Sequence, residues 1–299
     1  MKNVKSKTEN VGNKSVLARL DDGTLQVTLN IPQADVDKKR EESLKQLIEE
    51  IEVPGFRKGK VPKDAALKHI EQQKLYEHML QFLLPQAYSK AVQEHTLRPI
   101  LAPRFELVSV EDGKDWQVRA ITCELPEIDV KDYKKALNGK GTSKIVLPKD
   151  AKDESADTTR AQQEQDVIKV LLETSEAKIP SVLLEEEVNH KLTGLIDQLQ
   201  KVGLTIERYL SQTGKTADQI REEYTKQSSE AIKLELILNK VANAESIEVA
   251  DDEVEAVTET MNPSAGSGQE GSQDIEQTRR VIRSILLQRK TLDKLISYL

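Results

Sequence analysis

The sequence predicts an α+β N-terminal domain, an antiparallel sheet with helices on it, followed by an all-α C-terminal domain with extended helical arms. Three observations predict this. Apolar residues alternate with period two around Asp21-Asp22-Gly23-Thr24 and again around Asp112-Gly113. Beyond about residue 157 every apolar pattern has the helical period. The 299 residues are 32% charged and only 3% aromatic, so the core must be aliphatic and the helices long and charged.

In chain order, residues 1–13 are polar and expected to be disordered. Val16, Ala18 and Leu20, then Leu25, Val27, Leu29 and Ile31, read as the inward positions of a β-hairpin whose Asp-Gly supplies the turn. After Pro32 the period lengthens, and Val36, Leu44, Leu47, Ile48 and Ile51 fall on one helical face. Pro62 suits the first position of a further helix carrying Ala65, Ala66, Leu67 and Ile70. A longer helix has Leu75, Met79, Phe82, Leu83, Ala87, Ala91 and Val92 as its stripe, with Pro85 expected to kink or divide it. Phe105 to Val110 and Trp116 to Leu125 form a second strand pair. Residues 131–156 are poor in apolar side chains and read as a linker. Next come a helix with Val167, Val170 and Leu171 ending near Ala177, and one from Pro180 closed by Gly203. A short helix capped by Thr205 follows, then a long one opened by the Thr216–Gln219 capping box. The last two helices run from about Asp251 and from Ile275, separated by a Gly/Ser-rich stretch, residues 262–273, expected to be flexible. The domains expected are therefore 1–130, a linker 131–156, and 157–299.

Between the first two helical stretches lies Val53-Pro54-Gly55-Phe56-Arg57-Lys58-Gly59-Lys60-Val61-Pro62. Two prolines and two glycines within ten residues exclude a helix. An aromatic among three cations suits RNA or an acidic partner, because Arg forks onto phosphates while the ring anchors. A surface turn with Phe56 folded into the core and solvated cations is the plainer alternative.

The net charge of −7 excludes a general nucleic-acid binder and confines any RNA contact to a local patch. Cys123 is the only cysteine, so neither a disulfide nor a thiolate zinc site is available, and it reads as a core thiol. His69, His78, His95 and His190 lack metal-ligand spacing. Gly214-Lys215-Thr216 lacks the earlier glycine of a phosphate loop and reads as one helix ending and another starting. No apolar run approaches the roughly 18 residues that span a membrane. The polar start lacks a signal-peptide core, so a cytoplasmic protein without membrane partner, metal or cofactor is expected.

Gly55-Phe56-Arg57-Lys58-Gly59-Lys60-Val61-Pro62 resembles, at all eight positions, the signature loop of trigger factor, the bacterial family of ribosome-associated chaperones. The element order to residue 130 is similar to that family's ribosome-binding domain. Leu204 to Leu210, Gly214 to Thr216 and the closing Ile285 to Asp293 are similar to its C-terminal domain. The resemblance implies that Gly55, Phe56, Arg57, Lys58, Gly59, Lys60 and Pro62 contact the ribosome, protein and rRNA, near the tunnel exit. It implies that the helices hold nascent or unfolded polypeptides, with Leu192, Leu195, Leu199, Ile220, Tyr224 and Leu234 as candidate inner-surface residues, and leaves room for a weak homodimer. The family commonly carries a prolyl isomerase domain built like the FK506-binding proteins, which needs about a hundred residues. Residues 131–156 offer a few dozen and one aromatic, Tyr133, so this domain is expected to be missing and the protein not to be an enzyme. Three rivals stay open: a prolyl isomerase with an unrecognised site, a non-ribosomal helical scaffold or holdase, and a relative of periplasmic chaperones.

Overall fold

A computed structural model describes residues 14–51, 61–62, 69–140, 154–261 and 272–299. The expectations for residues 1–13, for Gly55 to Lys60, for Ala65 to Leu67 and for most of residues 262–273 lie outside the described residues. The chain forms two compact units, the first comprising Met1–Leu125 with Pro180–Leu183, the second Pro126–Ile179 with Leu184–Leu299.

Unit 1 is built on an antiparallel sheet of β1 (Val16–Arg19), β2 (Thr24–Ile31), β3 (Arg104–Ser109) and β4 (Trp116–Cys123), in the order β1-β2-β4-β3. The register sets Leu25 opposite Thr122, Val27 opposite Ala120, Leu29 opposite Val118 and Ile31 opposite Trp116. Opposed residues share a face, so this whole set points one way and is buried. Helices α1 (Gln33–Glu50) and α2 (Gln72–Glu94) cover it with Val36, Leu75, Met79, Leu83 and Ala91. Trp116 is fully buried and its Nε1–H donates to the Glu111 carbonyl at 3.2 Å, so the one indole leaves no orphan donor.

One expectation changes in unit 1 and a second narrows. On β1 the inward residue is Leu17, opposite Val27, while Val16, Ala18 and Leu20 are exposed. Ser15 to Leu20 carries apolar residues at both phases, and only the pairing register selects one. Pro85 does not divide α2, which is continuous. Pro85 and Gln81, four residues before it, are both exposed, so the carbonyl without a donor lies on the water side.

Unit 2 holds β5 (Ile128–Val130), α3 (Tyr133–Lys140), α4 (Glu154–Thr174), β6 (Ser175–Ala177), most of α5 (Ser181–Lys201), α6 (Ile206–Thr213), α7 (Ala217–Ala244), α8 (Asp251–Met261) and α9 (Ser272–Ile296). Its core joins Ile128, Leu137, Val167, Val170, Leu171, Ile237, Leu238, Val241 and Leu295. Part of the stretch expected as a linker is thus structured: α3 delivers Leu137, fully buried, to this core. Tyr133, Ala136 and Leu137 on a helix of eight residues give too short a pattern to read. The sequence also gives no sign of the three-residue strands β5 and β6, and its period predicts helix as far as Ala177. Ser-Glu-Ala has no strand signature; it is a strand because β5 pairs with it, Val130 opposite Ser175.

Glu245 ties three segments of this unit together. Its carboxylate accepts from the Tyr133 hydroxyl at 2.6 Å and the Tyr298 hydroxyl at 3.0 Å, and pairs with Lys134 Nζ at 2.6 Å. These donors, Lys134 first, outweigh partial desolvation and hold its pKa at about 2 against an ordinary 4.5. A depressed acid contributes stability above about pH 4.5 and loses it as pH falls toward 2. Glu245→Gln is expected to cost on the order of 2 kcal/mol at pH 7. It is also expected to flatten the stability loss between pH 5 and pH 2.5 in denaturant titrations followed by circular dichroism. A variant as stable as wild type, with the same acid profile, would remove Glu245 from this role.

Candidate functional site

Of the expected docking residues only Pro62 lies among those described, and it is exposed. The structure does show what holds the loop's two ends. Helix α1 finishes at Glu50, and Ile51 N–H still bonds the Leu47 carbonyl at 2.9 Å. On the far side Val61 is buried, packed with Ile48, Ile51 and Ile70. Entrance and exit therefore meet in one aliphatic cluster, and the nine residues between begin and end on the same support.

The six candidate client residues divide. Leu199 and Ile220 are buried, 7% and 5% exposed, and Leu234 packs against the unit 2 core. Leu199 and Ile220 are structural and leave the candidate surface, while Leu234 is half-buried with one side on that core. Leu192, Leu195 and Tyr224 are half-buried. Sequence reasoning missed the large apolar residues of unit 2 that are most open: Ile196 (42%) and Val202 (67%) on and just after α5, and Val281 (55%) and Ile285 (57%) on α9. They belong to the same periodic stripes as the buried residues. Which side of a stripe meets a neighbour depends on that neighbour, not on the stripe.

On α9, Ile285 and Leu292 line a cavity of about 410 Å3 with Gln288, Arg289, Arg160 and Glu164. Arg160 bridges to Asp293 and to Glu164. Helix α8 is fastened to α9 by ion pairs, Arg279 to Glu255 at 3.1 Å, Lys290 to Glu253 at 2.6 Å, and Arg283 to Asp251. None of α5, α6 or the first half of α7 contributes to the unit 2 core, and α5 and α6 pack only sparsely on other elements.

The signals set aside in the sequence are absorbed by structure. Gly214 takes the left-handed conformation that ends α6, and the Thr216 hydroxyl and Gln219 side chain exchange bonds across the start of α7. Cys123 is fully buried, and desolvation, with the Asp22 charge nearby, pushes its thiol up to about 11, far from a nucleophile's range. Among the described residues no cluster of His, Cys, Asp and Glu could hold a metal. Ser15 Oγ lies 3.0 Å from His95 Nε2, but Glu94 bonds the serine at 2.6 Å rather than the imidazole, so this is not a nucleophile relay. No described helix is long and apolar enough to cross a membrane.

The fold thus defines a two-unit protein, a sheet-and-helix body joined to a helical unit with open apolar positions. The family model for the N-terminal part of bacterial trigger factor matches residues 14–156, and that for its C-terminus matches residues 145–297. The chain belongs to the trigger factor family. The two matches meet with no isomerase domain between them. It is 35% identical over 108 residues to the trigger factor of Staphylococcus epidermidis, and 34% over 108 residues to that of Staphylococcus aureus. Each stretch is 36% of this chain and 25% of the relative, so the chain covers about a quarter of the curated relatives it matches. A solved structure concerned with promiscuous substrate recognition in the folding and assembly activities of the trigger factor chaperone superposes with a TM-score of 0.61. The superposition covers 95% of this chain and 99% of the other at 16% identity, a likeness of fold.

The Val61 anchor makes a checkable claim. Val61→Ala removes two buried methyl groups and is expected to cost about 1–2 kcal/mol in unit 1 stability by urea titration. Proteolytic cleavage within residues 52–60 should accelerate at the same time. Unchanged cleavage would show that the cluster does not hold the loop.

Proposed function

We propose that the chain is a non-catalytic, ribosome-associated chaperone that holds unfolded or nascent polypeptides. Support for the holding role comes from one observation above all: apolar side chains stand open on α5, which contributes nothing to the unit 2 core, and on the part of α9 that precedes its core residues. Clients would meet Leu192, Leu195, Ile196, Val202, Tyr224, Val281 and Ile285. Unfolded chains present scattered apolar groups worth roughly 1–3 kcal/mol each when fully buried. Several small patches of partial burial can hold many sequences, because no single contact dominates. The charged residues between them keep the surface soluble and let clients leave. The non-catalytic part of the reading is supported by the two family matches, which meet with no isomerase domain between them.

Docking rests on Phe56, Arg57 and Lys58, with Lys60 supporting. Residues 1–125 hold 20 Lys and Arg against 19 Asp and Glu, and residues 126–299 hold 24 against 32. The negative balance therefore lies in the second stretch, which leaves the loop's cations in nearly neutral surroundings. Charge-assisted contacts to rRNA or acidic side chains weaken steeply with salt.

Changing Phe56, Arg57 and Lys58 together to Ala is expected to abolish co-sedimentation with 70S ribosomes at low salt while leaving the circular dichroism spectrum intact. Ribosome binding unchanged in that variant would sink the docking proposal. Replacing Ile196, Val281 and Ile285 by Ser is expected to lower, several-fold, the protection given to an aggregating unfolded protein. The change falls on exposed positions, so stability should move by less than about 0.5 kcal/mol per site. Full protection by a folded triple variant would place the client surface elsewhere.

A further inference from the structure

Helix α5 begins without a local cap. The residue before it is Pro180, whose side chain accepts nothing, and the first turn holds no acidic residue. Leu183 N–H bonds the Pro180 carbonyl at 3.1 Å, but the Ser181 N–H has no acceptor on its own helix. That acceptor comes from the β1–β2 turn. Asp22 Oδ2 receives the Ser181 N–H at 2.9 Å across 159 positions of sequence. The same carboxylate organises its own turn, taking Thr24 N–H on Oδ1 and the Thr24 hydroxyl on Oδ2, each at 2.9 Å. The Ser181 hydroxyl stands 3.4 Å from that of Thr24, which is buried. Gly23 completes the fit: its φ is +91°, and a Cβ there would meet Pro180 Cγ at 3.4 Å.

We propose that Asp22 is the N-terminal cap of α5, supplied from the hairpin turn, and that it latches the first turn of α5 and the β1–β2 turn into one cooperative element of unit 1. All the bonds lie within that unit, which includes Pro180–Leu183. Two things follow from the geometry. A carboxylate at a helix start also meets the positive end of the helix dipole, so an anion serves better than a neutral amide. And the coupling is reciprocal: opening the turn frays the helix, and removing the helix's donor loosens the turn. The Asp-Gly pair read in the sequence as a turn signal then has a second role that its spacing does not show.

The test is amide hydrogen exchange by NMR on the full chain. In Asp22→Ala the amides of Ser181 and Leu183 are expected to exchange roughly five-fold faster, the loss of one helix cap, while α1 and α7 amides keep their rates. Asp22→Asn retains one accepting oxygen and should fall between. Unchanged exchange at Ser181 and Leu183 in the alanine variant would overturn the proposal. Should that variant unfold unit 1, seen as faster exchange across α1 and β4, Ser181→Pro decides. Proline suits a first helical position but brings neither N–H nor hydroxyl. The latch requires the Gly23 and Thr24 amides to exchange faster in that variant, and turn amides at wild-type rates would refute it.

Discussion

A 28-residue helix cannot bury its apolar side chains in a core that reaches only its last third. Helix α7 runs from Ala217 to Ala244, about 42 Å at 1.5 Å per residue. The unit 2 core takes it only from Leu234 onward. Ile220, Ser228 and Ile232 are buried all the same, outside that core. The helical region therefore covers its apolar stripes locally and incompletely, and Ile196, Val202, Val281 and Ile285 remain at the surface. With aromatics at 3%, few large rings are at hand to close the gaps. In this chain, open apolar surface is a consequence of long helices with an aliphatic, one-ended core.

Electrostatics complements that geometry. Glu245 gathers Tyr133, Lys134 and Tyr298 at the end of unit 2 where the core lies. Away from the core, α8 and α9 are joined by exposed ion pairs, individually worth about 0–1 kcal/mol. Core burial and a half-buried polar hub fix one end, while beyond it α8 and α9 bury Val254 and Ile282 and add salt-sensitive pairs.

The strand pair β5–β6 explains why a domain can be missing without disturbing its neighbours. Ile128 faces Ala177 and Val130 faces Ser175, so the chain entering unit 2 and the chain ending α4 lie side by side. Helices α3 and α4 contribute Leu137, Val167, Val170 and Leu171 to the same core. Whatever joins them, both ends are held by one unit, and a short connection serves as well as a long one.

Much of this was legible in the residues. The alternation Leu25, Val27, Leu29, Ile31, the Thr216–Gln219 capping box and the Gly203 and Gly214 helix ends are local features, each set by side-chain direction or backbone sterics within a few positions. What the sequence could not decide was every choice that depends on a distant partner. Register turned Leu17 inward and Val16 outward; β5 made a strand of Ser-Glu-Ala; neighbouring helices buried Leu199 and Ile220 yet left Ile196 and Ile285 open. A stripe states that one face is apolar, and a turn signal states that the chain reverses. Only tertiary packing decides what that face meets, and only the approach of Ser181 gives the Asp22 carboxylate a helix to cap.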